Sequence, residues 1–587
     1  MAPDDIRSIN SGFNGSMLFR QEFLFWAVTA ALLLVYLWSP SLQSSELLFA
    51  ESAREMAARG GYFHRVFNFA VTYAPPHFPG MWGCALFIKL FGNTEMAVRL
   101  PSVLAALGTL YVFRSLGSTL FNEKSAAIAC WMLLGSAGFL IWGRSASAEM
   151  AGTMTVLLAV TWFLKLEHHR TFAFYLFFYL LCFGSSFIKG FSAPFMVLLI
   201  LLPVIFSEKK WKDHLRWNHL AAFFTGVCLY LATLYLIPIL SGGTLSAEGT
   251  ESLFARGVRE EAVIWYRQLF NLKENWYKGL REMVICLLPW IFFLPLGITG
   301  FLKSRREFSQ RNSRIFAAVC CTFVLYLFIF SGSPADMFPL VPFILLFCAA
   351  GFSSRVTQDW NRLFFTAAWY LCIVLASLAL CSIITYPLWD KVADYVPPAA
   401  LVFGPVAAGV ICWWALFMDH TENSSFSRLM GFPHFFCSVL FSGTILSGCF
   451  LTVVLPAYFS ECNTGKRFFP EFRQKALESL PAGMPLRIMT YRTTVPAGYL
   501  FYNNISAPVE RISDVGELVK KYPGERIILL MKNRKELLDQ FDRECRKYNI
   551  VTGKALLSEK NVRWTPSADR NDRFVSYSVD MPSKKLR

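Results

Sequence analysis

Polar and apolar positions along the chain fall into long blocks. From Phe23 to Tyr458, apolar runs of about 16 to 24 residues recur, separated by short polar stretches. At a rise of ~1.5 Å per residue, runs of this length cross a bilayer as helices. They predict thirteen spans, at 23–38, 96–114, 124–142, 149–166, 171–188, 191–206, 218–240, 283–302, 315–331, 337–354, 363–386, 399–418 and 434–457. A shorter run, GMWGCALFIKLFG at 80–92, is flanked by loop signals and reads as a re-entrant or interfacial piece, or as the start of the second span. After residue 458 the pattern changes. Short apolar segments, LRIMTY (486–491), RIILLM (526–531) and FVSYSV (574–579), alternate with the helix-like stretches SDVGELVKKY (513–522) and NRKELLDQF (533–541). Ser513 and Asn533 suit the starts of those helices. The expected architecture is a polytopic α-helical membrane domain (1–457) with a small soluble C-terminal α/β domain (458–587). No internal repeat is evident, which weakens a transporter built from paired halves.

Composition supports the membrane assignment: 55% of the 587 residues are hydrophobic and 16% charged, where soluble globules carry about a quarter charged residues. The first run follows Asp4, Asp5, Arg7, Arg20 and Glu22 with no small-residue cleavage site after it, so it reads as a retained anchor. Charge then orients the set. The loop 207–217 carries Lys209, Lys210, Lys212 and Arg216, and the loop 303–314 carries Lys303, Arg305, Arg306, Arg311 and Arg314. Both belong inside under the positive-inside rule. The N-terminus is then cytoplasmic, while 39–95, 143–148, 189–190, 241–282, 332–336, 387–398 and the C-terminal domain face outside. That domain holds 24 Lys/Arg against 15 Asp/Glu within a chain of net charge +16. Such a balance beside a membrane suits anionic head groups or phosphorylated ligands, or is a solvated surface. No basic motif interleaved with aromatics points to nucleic acid. Of the 15 cysteines, only Cys462 and Cys545 lie in the polar tail, where an oxidising compartment lets them pair. No metal-ligand spacing occurs, so no metal or other cofactor is expected.

The outer face collects the unusual residues. In SSELLFAESAREM, Ser44 or Ser45 can cap a helix whose charges, Glu46, Glu51, Arg54 and Glu55, either face water at the interface or serve a site. YAPPHFPGMW (73–82) is a stiff loop whose His77 is a structural residue, a base or a phosphate donor. GRSASAEM sets Arg144 and Glu149 at a helix junction, and SSFIKGFSAPF sets Lys189 at the outer end of a span. Singly these have plain explanations, a dipole-favoured acid and a snorkelling lysine. Together, Glu46, Glu149, Lys189 and Arg144 suit a lipid-phosphate substrate, with cations holding the phosphate and a carboxylate taking a hydroxyl proton.

The ordered set of first-loop acid, FAESAREM, Pro-Pro loop, KLFG, RLPS, GR…E and IKG resembles bacterial membrane glycosyltransferases of the C-type (GT-C) fold. Within them it is most similar to the protein mannosyltransferase-like group that includes the lipid A aminoarabinose transferase. The resemblance covers residues 20–205 well, and ENWYKGL (274–280) and SPADMFPLVPF (333–343) more loosely. It implies inverting transfer of a sugar from a polyprenyl-phosphate donor to a lipid, glycolipid or protein acceptor at the periplasmic face of the bacterial inner membrane. It places Glu46 and Glu149 as catalytic acids, and Lys189, Arg144, His77, Arg54 and Asp336 in substrate binding. Arg256, Arg259 or Arg267 of the 241–282 loop would supply a further positive charge. The chain departs from the family in carrying Ser45 for its Asp, Ala74 for its Lys, Glu149 for an Asp, Asp336 for a Tyr and Ile188 for a Thr. A serine does not replace a carboxylate base unless a partner activates it. A non-catalytic lipid- or glycan-binding protein and a lipid-linked-sugar transporter are the alternatives, and the nearly charge-free span centres weaken the second.

Overall fold

The computed structural model describes residues 22–60, 65–72, 79–166, 171–207, 216–240, 276–328, 334–353, 440–452, 465–558 and 574–581, apart from 39, 191, 305, 307, 441, 442, 446, 450, 482, 483 and 549. Helix α1 (Glu22–Leu34) leads to α2 (Ser44–Arg59), then to an antiparallel hairpin of β1 (Arg65–Phe67) and β2 (Ala70–Thr72), and to α3 (Pro79–Phe91). The bundle continues through α4 (Glu95–Leu120), α5 (Glu123–Leu134), α6 (Ala137–Gly143), α7 (Glu149–Leu166), α8 (Phe172–Lys189), α9 (Ser192–Ser207) and α10 (Trp217–Leu240). From residue 276, the next described residue, come α11 (Trp276–Leu287), a 3-10 turn at Trp290–Phe293, α12 (Leu294–Lys303), α13 (Gln310–Phe328), a second 3-10 turn at Pro334–Met337, and α14 (Leu340–Ser353).

Among the described helices, α4, α7 and α8 are each long and apolar enough to cross a membrane. The expected span 124–142 is α5 with α6, a pair bent by 64°, and 283–302 is divided by the first 3-10 turn. The apolar run at 80–92 forms a helix separate from the second span. Its Cys84, Ala85 and Ile88 are buried against α2 while Trp82, Leu86 and Leu90 stay exposed. The expected spans 363–386 and 399–418 lie outside the described residues. The bundle core is filled by large apolar side chains such as Phe113, Phe139, Phe163, Trp290 and Phe347, all essentially inaccessible. Leu104, Tyr111 and Phe224 are exposed on its surface, as contact with lipid allows.

The two ends of the bundle differ. At one end Arg311 and Asn312 donate to the last carbonyls of α7 and α4, Leu164 O (3.3 Å) and Leu120 O (2.5 Å). Arg114 pairs with Glu22 at the same end. At the other end lie α2, the β1–β2 hairpin, the start of α7, the end of α8 and the Pro334–Met337 turn.

The C-terminal region folds as α15 (Gly465–Glu478), β3 (Ile488–Tyr491), α16 (Ala497–Tyr502), β4 (Arg511–Ile512), α17 (Val515–Lys521), β5 (Arg526–Lys532), α18 (Lys535–Lys547), β6 (Val551–Ser558) and β7 (Phe574–Asp580). The sheet order is β4-β3-β5-β7-β6, with β4, β3 and β5 parallel and β7 antiparallel to both neighbours. Alternation along β5 divides its side chains between two cores. Ile527, Leu529 and Met531 face α17 and α18, and Ile528 and Leu530 face α15 and α16. The helix starts fall one residue later than expected. Asp514, not Ser513, caps α17 by accepting from Gly516 N at 3.1 Å. Arg534, not Asn533, precedes α18. Cys545 is a buried free thiol inside this core, and Cys462 lies outside the described residues.

This α/β unit sits on the first-loop elements. Phe501 of α16 is buried in one cluster with Leu47, Ala50 and Ala53 of α2 and Met81 of α3. Tyr502 Oη accepts from Leu42 N (3.0 Å), Asn93 Nδ2 donates to Phe501 O (2.9 Å), and Lys466 pairs with Glu95 (2.6 Å). Asn68 and Val509 exchange two hydrogen bonds, both 2.9 Å.

Candidate functional site

Helix α2 begins with a capping box. Gln43, rather than Ser44 or Ser45, is the N-cap, and Glu46 at the third helical position accepts from Gln43 N at 3.0 Å. The helix ends at Gly60, whose φ of 76° suits a residue without a side chain. Ser45 is exposed, whereas Glu46 is buried. Besides the Gln43 bond, the Glu46 carboxylate accepts from Arg99 Nε (3.1 Å), an Arg99 terminal nitrogen (3.0 Å) and Ala146 N (2.9 Å). Burial pushes the Glu46 carboxyl up, but the Arg99 guanidinium and the two backbone N–H groups outweigh it and hold it below its usual value. A group so placed stays ionised and pins the loop; its geometry does not favour the base role expected for it. Arg99 is the arginine of the RLPS motif. It also donates to Leu37 O, Pro40 O and Ser41 O, so it gathers the whole turn before α2.

One turn on, Arg54 grips Glu51 with both arms of its fork, at 2.7 and 2.6 Å. Its remaining donors reach Asn504 Oδ1 (3.2 Å) and Ile505 O (2.8 Å) of the C-terminal unit. Arg54, expected to bind substrate, is therefore placed as a bridge between α2 and that unit. Burial lifts the Glu51 carboxyl to about 8, against the opposing pull of Arg54, and the neighbouring Glu55 adds to the rise. Glu55 in turn accepts from Phe69 N at 2.9 Å.

The start of α7 meets the end of α8. Glu149 at the first position of α7 and Lys189 at the last of α8 each sit where the helix dipole favours their charge. Their side chains pair at 2.5 Å. Lys189 Nζ also donates to Ala335 O at 2.8 Å, on the Pro334–Met337 turn that carries Asp336. The lysine stem lies across Gly152, where a Cβ would come within 2.9 Å of Lys189 Cδ. Gly190 closes α8 with φ 72°. Lys189 is almost buried, while the Glu149 side chain keeps 21% of its surface open. Asp336 is half-buried next to both. Three residues separated widely in sequence thus form one acid–base–acid cluster at the end of the bundle that carries α2.

Arg144 stands apart from that cluster. Its guanidinium donates to Leu32 O, Leu33 O and Val35 O at the end of α1, and to Thr452 O, so its donors clamp backbone. His77, Ala74, Arg256, Arg259 and Arg267 lie outside the described residues. Among the described residues no group of three His, Cys, Asp or Glu side chains is arranged to hold a metal. Arg99 had no assigned role in the sequence reading. Its signal was a charged residue inside the apolar stretch 96–114, which membrane segments tolerate only with a partner.

Residues 74–236 match the family model described as dolichyl-phosphate-mannose-protein mannosyltransferase. The undecaprenyl phosphate-α-4-amino-4-deoxy-L-arabinose arabinosyl transferase of Shewanella sediminis is 26% identical over 271 residues, covering 45% of this chain and 46% of the relative. The protein of the same name from Pseudomonas paraeruginosa is 24% identical over 399 residues, covering 64% of this chain and 67% of that one. The match thus spans about half the length of the first relative. In structure, the chain is similar to ArnT from Cupriavidus metallidurans bound to undecaprenyl phosphate, with a TM-score of 0.66 at 15% identity, over 95% of this chain and 97% of that one. Its apo form superposes with a TM-score of 0.62. By fold and by sequence the chain resembles the bacterial C-type membrane glycosyltransferases of the protein mannosyltransferase and aminoarabinose transferase group.

Proposed function

We propose that the protein is an integral-membrane glycosyltransferase that takes a sugar from a polyprenyl-phosphate donor and passes it to a lipid or glycolipid acceptor at the periplasmic face of the inner membrane. The observation that carries this reading is the Glu149–Lys189 pair, tied to Ala335 O and beside Asp336. A lysine paired with a carboxylate that stays partly open, at the membrane boundary, suits the phosphate of a lipid-linked sugar. Lys189 neutralises that phosphate as it leaves, and Glu149 orients the amine. Direct displacement at the anomeric carbon inverts its configuration. Glu46 and Arg99 hold the turn before α2 against the Ala146 backbone, and Arg54 ties α2 to the C-terminal unit. The relatives whose names specify an undecaprenyl-phosphate aminoarabinose donor support a donor of that class.

A second reading, a lipid-binding protein without transfer activity, is favoured by one observation: the first-loop carboxylate Glu46 has its acceptors filled and Ser45 offers no carboxyl in its place. One experiment separates the two. Purified protein in lipid nanodiscs is given labelled polyprenyl-phosphate sugars extracted from bacterial membranes, with a lipid fraction as acceptor. Label appearing in the acceptor lipid supports transfer. Binding of undecaprenyl phosphate without label transfer, across donors, selects the binding protein.

A further inference from the structure

Transfer to a hydroxyl acceptor needs a group to take the hydroxyl proton. Around this end of the bundle, the described carboxylates are mostly committed. Glu46 is filled by Arg99 and two backbone N–H groups, and Glu51 lies in the Arg54 fork. Glu55 accepts from Phe69 N, Glu95 pairs with Lys466, and Glu149 pairs with Lys189. Asp336 is the exception. It sits on a four-residue 3-10 turn, half-buried, and no hydrogen bond reaches its carboxylate among the described residues. The residue before it, Ala335, accepts from Lys189 Nζ at 2.8 Å, which fixes the turn against the cluster.

We propose that Asp336 is the base of the transfer reaction; this rests on the glycosyltransferase reading above. In the step, the acceptor hydroxyl oxygen forms a bond to the anomeric carbon. The bond from that carbon to the donor's phosphate oxygen breaks, and its electron pair leaves with the phosphate toward Lys189. The hydroxyl proton passes to the Asp336 carboxylate and from there to water. The ionisable groups around Asp336 come from four elements: Lys189 on α8, Glu149 on α7, Tyr326 on α13, and Glu282 with Cys286 on α11, which packs on the turn. Burial raises the Asp336 carboxyl, Lys189 lowers it and Glu149 raises it, leaving it at about 7. A base is most effective when it titrates near the working pH.

The test compares wild type, Asp336→Asn and Asp336→Glu in nanodiscs. It reads transfer of labelled sugar from membrane-extracted polyprenyl-phosphate donors across pH 5–9, and thermal stabilisation by undecaprenyl phosphate. Loss of a general base costs roughly 10²–10⁴-fold in rate. Asp336→Asn is expected to lose about that much kcat and the pH limb near neutrality, to keep its stabilisation by undecaprenyl phosphate, and Asp336→Glu to recover part of the rate. Transfer by Asp336→Asn at the wild-type rate overturns the assignment while leaving the glycosyltransferase reading intact. Joint loss of transfer and of lipid-phosphate stabilisation, unrescued by Asp336→Glu, also overturns it, in favour of a structural role. A wild type that binds undecaprenyl phosphate but transfers nothing overturns both.

Discussion

At the scale of single residues, the buried ionic groups of α2 divide into two types. Glu46 is surrounded by donors and held below its usual value; Glu51, in the Arg54 fork, is raised by burial and by Glu55 to about 8. The linkage signs follow. Glu51 titrates higher folded than unfolded, so the folded state binds more protons between the ordinary carboxylate range and about 8, and its stabilisation is lost as pH rises through that window. Glu46 titrates lower folded, so its stabilisation is present above the ordinary range and is lost as pH falls through its own value. Thermal melts should therefore show the protein gaining stability from pH 8 to pH 6, with a visibly shallower slope in Glu51→Gln. An unchanged slope in that variant means that Glu51 is ionised when folded. This contrast was not legible in SSELLFAESAREM. Glu46 takes its character from Arg99, 53 positions away, and Glu51 from its burial.

At the scale of elements, two close approaches build the site. The first is α7 against α8, where Gly152 leaves room for the Lys189 stem. Gly152→Val is expected to push that stem aside and cut transfer tenfold or more, about 1.4 kcal/mol in the barrier, with little change in the far end of the bundle. Transfer assays with a melt as control check this, and wild-type rates would show the stem free to move. The second is the β1–β2 hairpin against the C-terminal unit. Asn68 sits at φ 50° and exchanges two bonds with Val509. Asn68→Ala removes both bonds and places Ala in a region Asn tolerates better, for a loss of roughly 2 kcal/mol. Hydrogen exchange should speed up at Val509 and in the hairpin, while β5 stays protected. The strands at 486–491, 526–531 and 574–579 were readable because short β-rich runs stood among polar stretches. Strand β4, two residues long, carried no pattern, and β6 mixes polar residues into its apolar ones. The helix starts were misplaced by a residue because several neighbouring polar side chains suit a cap and only the backbone path selects one.

At the scale of the whole molecule, apolar block length made the membrane class and the gathering of Glu149, Lys189 and Asp336 at one end readable, since alternate spans return the chain to the same side. The seating of the C-terminal unit on α2 was not readable. Its contacts, such as Tyr502 with Leu42 and Arg54 with Asn504, join residues more than 440 positions apart, and nothing local marks them. The account's central claim is that the Lys189–Glu149 pair, rather than the first-loop carboxylate, handles the donor. The most direct test is sugar transfer from polyprenyl-phosphate donors by wild type, Lys189→Met and Glu46→Gln, each shown to be folded by its melt. The account predicts that Lys189→Met falls by at least about a hundredfold, on the order of 2.7 kcal/mol, while Glu46→Gln, if folded, retains most of its transfer. Full transfer by Lys189→Met, or its loss in a folded Glu46→Gln alone, would contradict it.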